Sequence, residues 1–210
     1  MKHVKTLGLA AVAAAALMAF AGAGTASAET NLCSTTTTPC TSEVPAGTVL
    51  DFSLAPGTSA KQTTTDGKTT LQTCTASTIK MQLATATPPT GPITELTWGT
   101  AGTPCTFPAK ATQLSNLAFD RIVGTDNALI TADGEIKLFT VNTVLFGSCV
   151  YGVTSGTQLG TFTGGKPAAF DLNAVAKKLT GSEAACPETS KVTASYVLTE
   201  PKETTIHVEA

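Results

Sequence analysis

The sequence predicts an all-β protein: an antiparallel β-sandwich or open barrel of about nine to twelve strands, stapled by disulfides behind a cleaved signal peptide. Three observations predict it. Apolar residues recur at alternate positions along most of the chain, Asp-Gly pairs stand between such runs, and all six cysteines follow an N-terminal apolar stretch.

The chain opens with "MKHVK", a short basic start, followed by an alanine-rich apolar run from Leu7 to Phe20 and the small residues of "AGAGTASA". That order is the pattern of a secretory signal, with cleavage expected after Ala28. Residues 1–28 are read as the signal peptide and 29–210 as one domain. The run is short for a membrane anchor, and its alanines and glycine make a poor lipid-facing helix; Leu32 occupies the place before Cys33 where a lipoprotein signal carries a small residue. No second apolar stretch follows, so no membrane span is expected after cleavage, and the mature chain is expected outside the cell, secreted or held at its surface.

The six cysteines are Cys33, Cys40, Cys74, Cys105, Cys149 and Cys186. An even count in an exported chain reads as a disulfide framework whose connectivity the sequence leaves open; nearest-neighbour pairing, Cys33 with Cys40, Cys74 with Cys105 and Cys149 with Cys186, is the preferred arrangement. Closing "CSTTTTPC" removes about 2.5 kcal/mol of unfolded-chain entropy, against nearly 4 kcal/mol for each longer loop. The threonine run has no apolar side chain to bury, so it is expected to be an exposed, cross-linked loop holding the first strand. Zinc is not indicated, because the close C-x₂-C pairs of structural sites are missing and only His207 survives signal removal.

Each strand has its own signature. "TVLDFSL" alternates Leu50, Phe52 and Leu54 with polar residues, and Pro56-Gly57 then supplies a type II turn. Asp66-Gly67 within "TTTDGKTT" signals a tight hairpin, and Asp133-Gly134 signals a second one between "NALITA" and "EIKLFTV". "STIKMQL" places Ile79, Met81 and Leu83 on one face, and "ITELTW" places Leu96 with Trp98. "KVTASYVLT" lines up Val192, Ala194, Tyr196 and Leu198, and "TTIHVEA" reads as a terminal strand. "NAVAKKL" fits one helical turn or a strand equally well. Threonine richness favours strands, because a branched Cβ suits a pleated surface and crowds a helical turn.

The segments "LCSTTTTPC…AGTVLDFSL", "TCTAST", "GTFTGG" and "ACPETSKVTASYVLTEP" resemble small exported disulfide-containing β-proteins of high-GC Gram-positive bacteria. The resemblance spans most of the mature chain and implies export and a β fold. It transfers no catalytic residue.

Loss of Lys2 and Lys5, with no acid among the first 28 residues, takes the formal charge from −2 to about −4. A mildly acidic chain whose single arginine, Arg121, stands beside Asp120 does not suit nucleic acid. No cofactor is indicated and no catalytic residue is assigned. A nucleophile needs a base, and the one histidine left, His207, is expected to point to solvent, opposite to Ile206 and Val208. Asp51, Asp120 and Asp171 sit in apolar contexts from which an acid pair would be drawn, with Asp120 a candidate partner for Arg121. Asp126, Asn127, Asp133 and Glu135 lack the spacing of a calcium loop. "TGGKPAA" fails as a phosphate loop, since Pro167 removes an amide, and reads as a turn. With aromatics at 5%, Trp98, Tyr151 and Tyr196 are expected to serve the core rather than a sugar platform.

Three functions remain. The leading one is a secreted, non-enzymatic binding or structural module whose partner is a cell-envelope polymer or a secreted protein. The second is an inhibitor of a secreted hydrolase, presenting a loop braced by Cys40, Cys105 or Cys186. The third is an acid-pair hydrolase. Neither the ligand nor the oligomeric state is written in the sequence.

Overall fold

A computed structural model describes residues 30–35, 39–99, 102, 105–202 and 204–209; the expected signal peptide and Thr36 to Thr38 of the first loop lie outside them. The described residues form sixteen strands and no helix. In chain order these begin with β1 (Asn31–Cys33), β2 (Val49–Leu54), β3 (Ala60–Thr64), β4 (Thr70–Cys74) and β5 (Ser77–Gln82). Next come β6 (Thr85–Ala86), β7 (Pro89–Trp98), β8 (Ala109–Lys110), β9 (Asn116–Arg121), β10 (Asn127–Asp133) and β11 (Ile136–Thr143). The last are β12 (Gly147–Val153), β13 (Gln158–Thr163), β14 (Ala169–Lys178), β15 (Thr189–Glu200) and β16 (His207–Glu209).

Eight of them close into an antiparallel barrel in the order β15-β2-β5-β7-β9-β10-β13-β14. The closing seam is the longest pairing in the molecule, from Ala169 opposite Val197 to Lys177 opposite Thr189. Closure corrects the expectation of a sandwich or open barrel. Its physical cause is the length of β15, whose twelve residues hold β14 along one edge and β2 and β3 in succession along the other. The strand count also exceeds the expected range, because two-residue strands such as β6 and β8 are too brief to show alternation.

Beyond the ring, β14 and β15 continue into an outer sheet. The β3–β4 hairpin adds to β15, while β12, β11 and β8 follow from the far end of β14. Two bridges brace this annex: Cys74–Cys105 ties β4 to the segment before β8, and Cys149–Cys186 ties β12 to the segment before β15. Cys33–Cys40 holds the two-stranded clasp of β1 and β16. Among the described residues no cysteine is free, and no helix is long and apolar enough to cross a membrane.

Asp66-Gly67 does form the β3–β4 hairpin, with Gly67 at φ 72°. Asp133-Gly134 does not form one. There β10 pairs with β9 and β13, and β11 with β8 and β12, so the turn carries the chain out of the ring into the annex. "NAVAKKL" belongs to strand β14.

The barrel interior is filled. Phe162 meets Phe52 at 6.3 Å and Phe119 at 5.4 Å, both edge-to-face, a favoured aromatic geometry. With Ile79, Met81, Leu117, Ile130 and Phe170, these rings leave a void of about 10 Å³, room for one water at most. Any ligand therefore meets the outside of the barrel. In the annex, Trp98 stacks on Phe139 at 4.2 Å, and its indole N–H donates to the Leu138 carbonyl at 2.8 Å. Buried Gln72 acts as a stand-in strand, accepting from the Phe107 N–H at 2.8 Å and donating to the Phe107 carbonyl.

Both tyrosines of the chain are buried, Tyr196 sharing a 2.8 Å hydrogen bond with Ser77 Oγ and Tyr151 donating to the Pro187 carbonyl at 3.0 Å. Burial, aided by the charge of Glu188, pushes the Tyr151 phenol up to about 12. Burial also raises Tyr196 above its usual range, against a smaller opposing effect of Ser77. The unfolded chain loses these protons first, near pH 10, so stability is full below that pH and falls as pH rises above it. The expected result is a Tm that drops steeply above pH 10, with phenolate absorbance appearing only as the protein melts. Phenolate formed in the folded protein near pH 10 would contradict the buried placement.

Candidate functional site

Exposed large apolar side chains stand singly except at one place, although the isolated Val123 is itself 89% exposed. Among the described residues the exposed large hydrophobics are Val49, Val123, Val144, Leu145 and Val175, and the adjacent pair Val144 and Leu145 is 89% and 77% exposed. This pair forms the tip of the β11–β12 hairpin. The local chemistry makes the turn: Phe146 N–H donates to Thr143 Oγ1 at 2.9 Å, Gly147 takes φ 71°, and Phe146 folds back against the core. Cys149, two residues past the turn, is bonded to Cys186, which fixes the base of the hairpin. The tip is thus an exposed apolar knob on a hairpin braced by a disulfide at its base.

A second feature lies at the clasp. A cavity of about 280 Å³ is lined by Arg121, Asp126, Gly164, Gly165, His207 and Glu209, among others. Gly164 permits it, because a Cβ there would come within 2.8 Å of the His207 backbone. The Nε of Arg121 and the Nδ1 of His207 are both buried without a hydrogen-bond partner. The backbone around them is firmly held: Arg121 N–H donates to Thr30 Oγ1 at 3.0 Å, and Gly165 exchanges both backbone hydrogen bonds with Ile206.

A third opening, an exposed groove of about 390 Å³, lies where β2 and β3 part along β15 beside Lys61, Asp171 and Thr193.

His207 does sit opposite to Ile206 and Val208, but it is only 8% exposed. The expectation of a solvent-facing histidine is corrected, because β1 pairs with β16 and the Cys33–Cys40 bridge covers that face. The three aspartates do not converge. Asp51 on β2 lies 3.6 Å from Lys80, Asp120 on β9 accepts from Thr131 at 3.2 Å, and Asp171 on β14 accepts from Ser195 at 2.7 Å. Lys80, held also by Glu95 at 3.2 Å, has its ammonium raised above the usual range, chiefly by the Glu95 hydrogen bond and then by Asp51. No ion pair joins Asp120 to Arg121 among the described residues. Asp126 and Asn127 lie at one end of β10 and Asp133 at the other, so these oxygens do not surround one point. Trp98, Tyr151 and Tyr196 are all buried.

Sequence reasoning missed the tip and the cavity. The tip left one signal, the run Val144-Leu145-Phe146 set directly against Gly147, where strand alternation stops. The cavity left none, because its residues are brought together only by barrel closure and the clasp. Compared with models of protein families, with curated proteins and with solved structures, the chain matches none.

Proposed function

We propose that this is a secreted, non-enzymatic binding module of the cell exterior that attaches through the β11–β12 tip to an apolar patch of the cell envelope. The observation that carries the reading is the exposure of Val144 and Leu145 on a hairpin braced by Cys149–Cys186. Apolar side chains held in water on a stiff support gain free energy when a partner covers them, and little ordering entropy is lost on binding. Three disulfides suit an oxidising exterior.

The inhibitor reading ranks second. A loop that enters an active site is extended, whereas the β11–β12 tip is a tight turn. The segment after Cys105 is pinned by Gln72, and the one before Cys186 by Ser182, whose hydroxyl donates to the Leu179 carbonyl at 2.8 Å and accepts from the Val150 N–H at 2.9 Å. The acid-pair hydrolase ranks last, since each aspartate has its own partner.

The test is sedimentation of oxidised residues 29–210 with insoluble cell envelope, beside a reduced and alkylated sample. The oxidised form is expected to pellet and the reduced form to stay in solution. An oxidised form that remains wholly in the supernatant overturns the reading and moves the search to secreted enzymes.

A further inference from the structure

The register of the clasp assembles a set of metal-ligating side chains that its own disulfide holds closed. In β16, His207 and Glu209 are two residues apart and so share a face. Cys33 is the cross-strand partner of His207 and therefore joins that face. A ligand atom from each of Cys33, His207 and Glu209 lies within 4.8 Å of the others, and Cys33 Sγ is 3.9 Å from Glu209 Oε2. All three residues are buried, at 0%, 8% and 7% exposure.

Two features of this cluster are unusual for a structural one. His207 Nδ1 is buried with no hydrogen-bond partner, and the Cys33 Sγ that stands 3.9 Å from the Glu209 carboxylate belongs to a disulfide and carries no proton to donate. A buried imidazole nitrogen left in this state is costly unless something else satisfies it. As a disulfide, Cys33 supplies no thiolate. Its partner Cys40 is held beside it by the bond itself.

The geometry points to a thiol-gated zinc site: when Cys33–Cys40 is reduced, the thiolates of Cys33 and Cys40, an imidazole nitrogen of His207 and the carboxylate of Glu209 together bind one Zn²⁺. Sulfur, nitrogen and oxygen ligands in fourfold coordination suit this ion, and bonds of about 2.0 to 2.3 Å put tetrahedral ligand atoms about 3.5 Å apart, close to the spacing present. The cation also suits the local charge. Arg121 lines the adjoining cavity and opposes it, but Asp126, Glu209 and the two thiolates outweigh one guanidinium.

The chemistry balances with a small dithiol as reductant. A thiolate of the dithiol attacks the disulfide, and the Cys33–Cys40 bond breaks. Two electrons pass to its sulfurs, and the dithiol leaves as its own disulfide. Zn²⁺ then replaces the protons of the two cysteine thiols, which are released to water. Of the three bridges this one spans the shortest separation, 7 residues against 31 and 37, so opening it frees the least chain.

The test uses the full exported chain, treated anaerobically with dithiol to the point where alkylation mapping shows Cys33 and Cys40 open, then desalted and titrated with Zn²⁺ or Co²⁺ alone. The expected result is about one zinc retained per reduced chain and none per oxidised chain, with a thiolate-to-cobalt charge-transfer band in the cobalt form. His207→Gln and Glu209→Gln are each expected to weaken binding by about tenfold or more. These two variants keep all six cysteines, and near-ultraviolet circular dichroism of their oxidised forms checks the fold. The comparison also holds if another bridge opens, since only Cys33–Cys40 adjoins these residues. Zinc held equally by the oxidised chain, no zinc held by the reduced chain, or binding indifferent to both substitutions overturns the site.

Discussion

Replacing Val144 and Leu145 together by serine is expected to cut envelope binding by on the order of a hundredfold while leaving the fold intact. Each side chain, fully buried by a partner, is worth about 1.5 to 3 kcal/mol, so loss of the pair removes about 3 kcal/mol or more, and 1.4 kcal/mol corresponds to about tenfold in affinity. In the free protein both residues face water. Their removal therefore costs the folded state almost nothing, within about 0.5 kcal/mol for an exposed site. Serine keeps the turn, because the Phe146 N–H bond to Thr143 and the positive φ of Gly147 do not involve the replaced side chains. Binding isotherms check the first part and thermal melts the second. A variant that binds like the parent removes the tip from the account.

The second large effect concerns barrel closure. Gly160 on β13 stands opposite Leu172 of β14, at a register shift where Ile130 faces Gly160 but Thr131 faces Gln158. The extra residue, Leu159, makes a bulge that turns the strand. A Cβ on Gly160 would fall 1.9 Å from the Asp171 carbonyl oxygen. A main-chain oxygen in a paired strand cannot step aside as a flexible side chain does, so the two strands must separate. Gly160→Ala is expected to cost about 3 kcal/mol, the upper part of the overpacking range, or on the order of 10 °C in Tm for a domain of this size. Gly57→Ala is the control. That position has φ 77° and open space around it, so only the backbone conformation is strained, at about 1 kcal/mol. A Gly160→Ala protein melting within 1 °C of the parent contradicts the close approach.

The strands were legible where both halves of an alternating run meet different surroundings. "KVTASYVLT" is the clearest case: Val192, Ala194, Tyr196 and Leu198 are all buried, and the residues between them are not. What alternation cannot carry is which edges pair. Closure depends on β14 meeting β15 while β15 also holds β2 and β3, and no local pattern distinguishes that from an open sheet. The same limit applies at Asp133-Gly134, where Asp133 ends β10, Gly134 takes φ 133°, and the flanking strands have other partners. His207 shows it at the scale of one side chain. Alternation separated it from Ile206 and Val208, yet solvent exposure did not follow, because a partner strand more than 170 positions away and a bridge cover that face. The candidate sites fared worse than the fold. Arg121, Asp126, His207 and Glu209 line one cavity through contacts between distant segments, and a knob such as Val144-Leu145 becomes visible only when its exposure is known.

The measurement that tests the account most directly is a pair of envelope sedimentation isotherms, for the oxidised parent and for the Val144→Ser, Leu145→Ser protein, at low and high salt. An apolar contact through the tip predicts that the parent pellets at both salt concentrations, since screening weakens exposed charge pairs but not hydrophobic burial. It predicts that the substituted protein stays in solution at both. Equal pelleting of the two proteins, or binding by the parent that disappears in high salt, would contradict it.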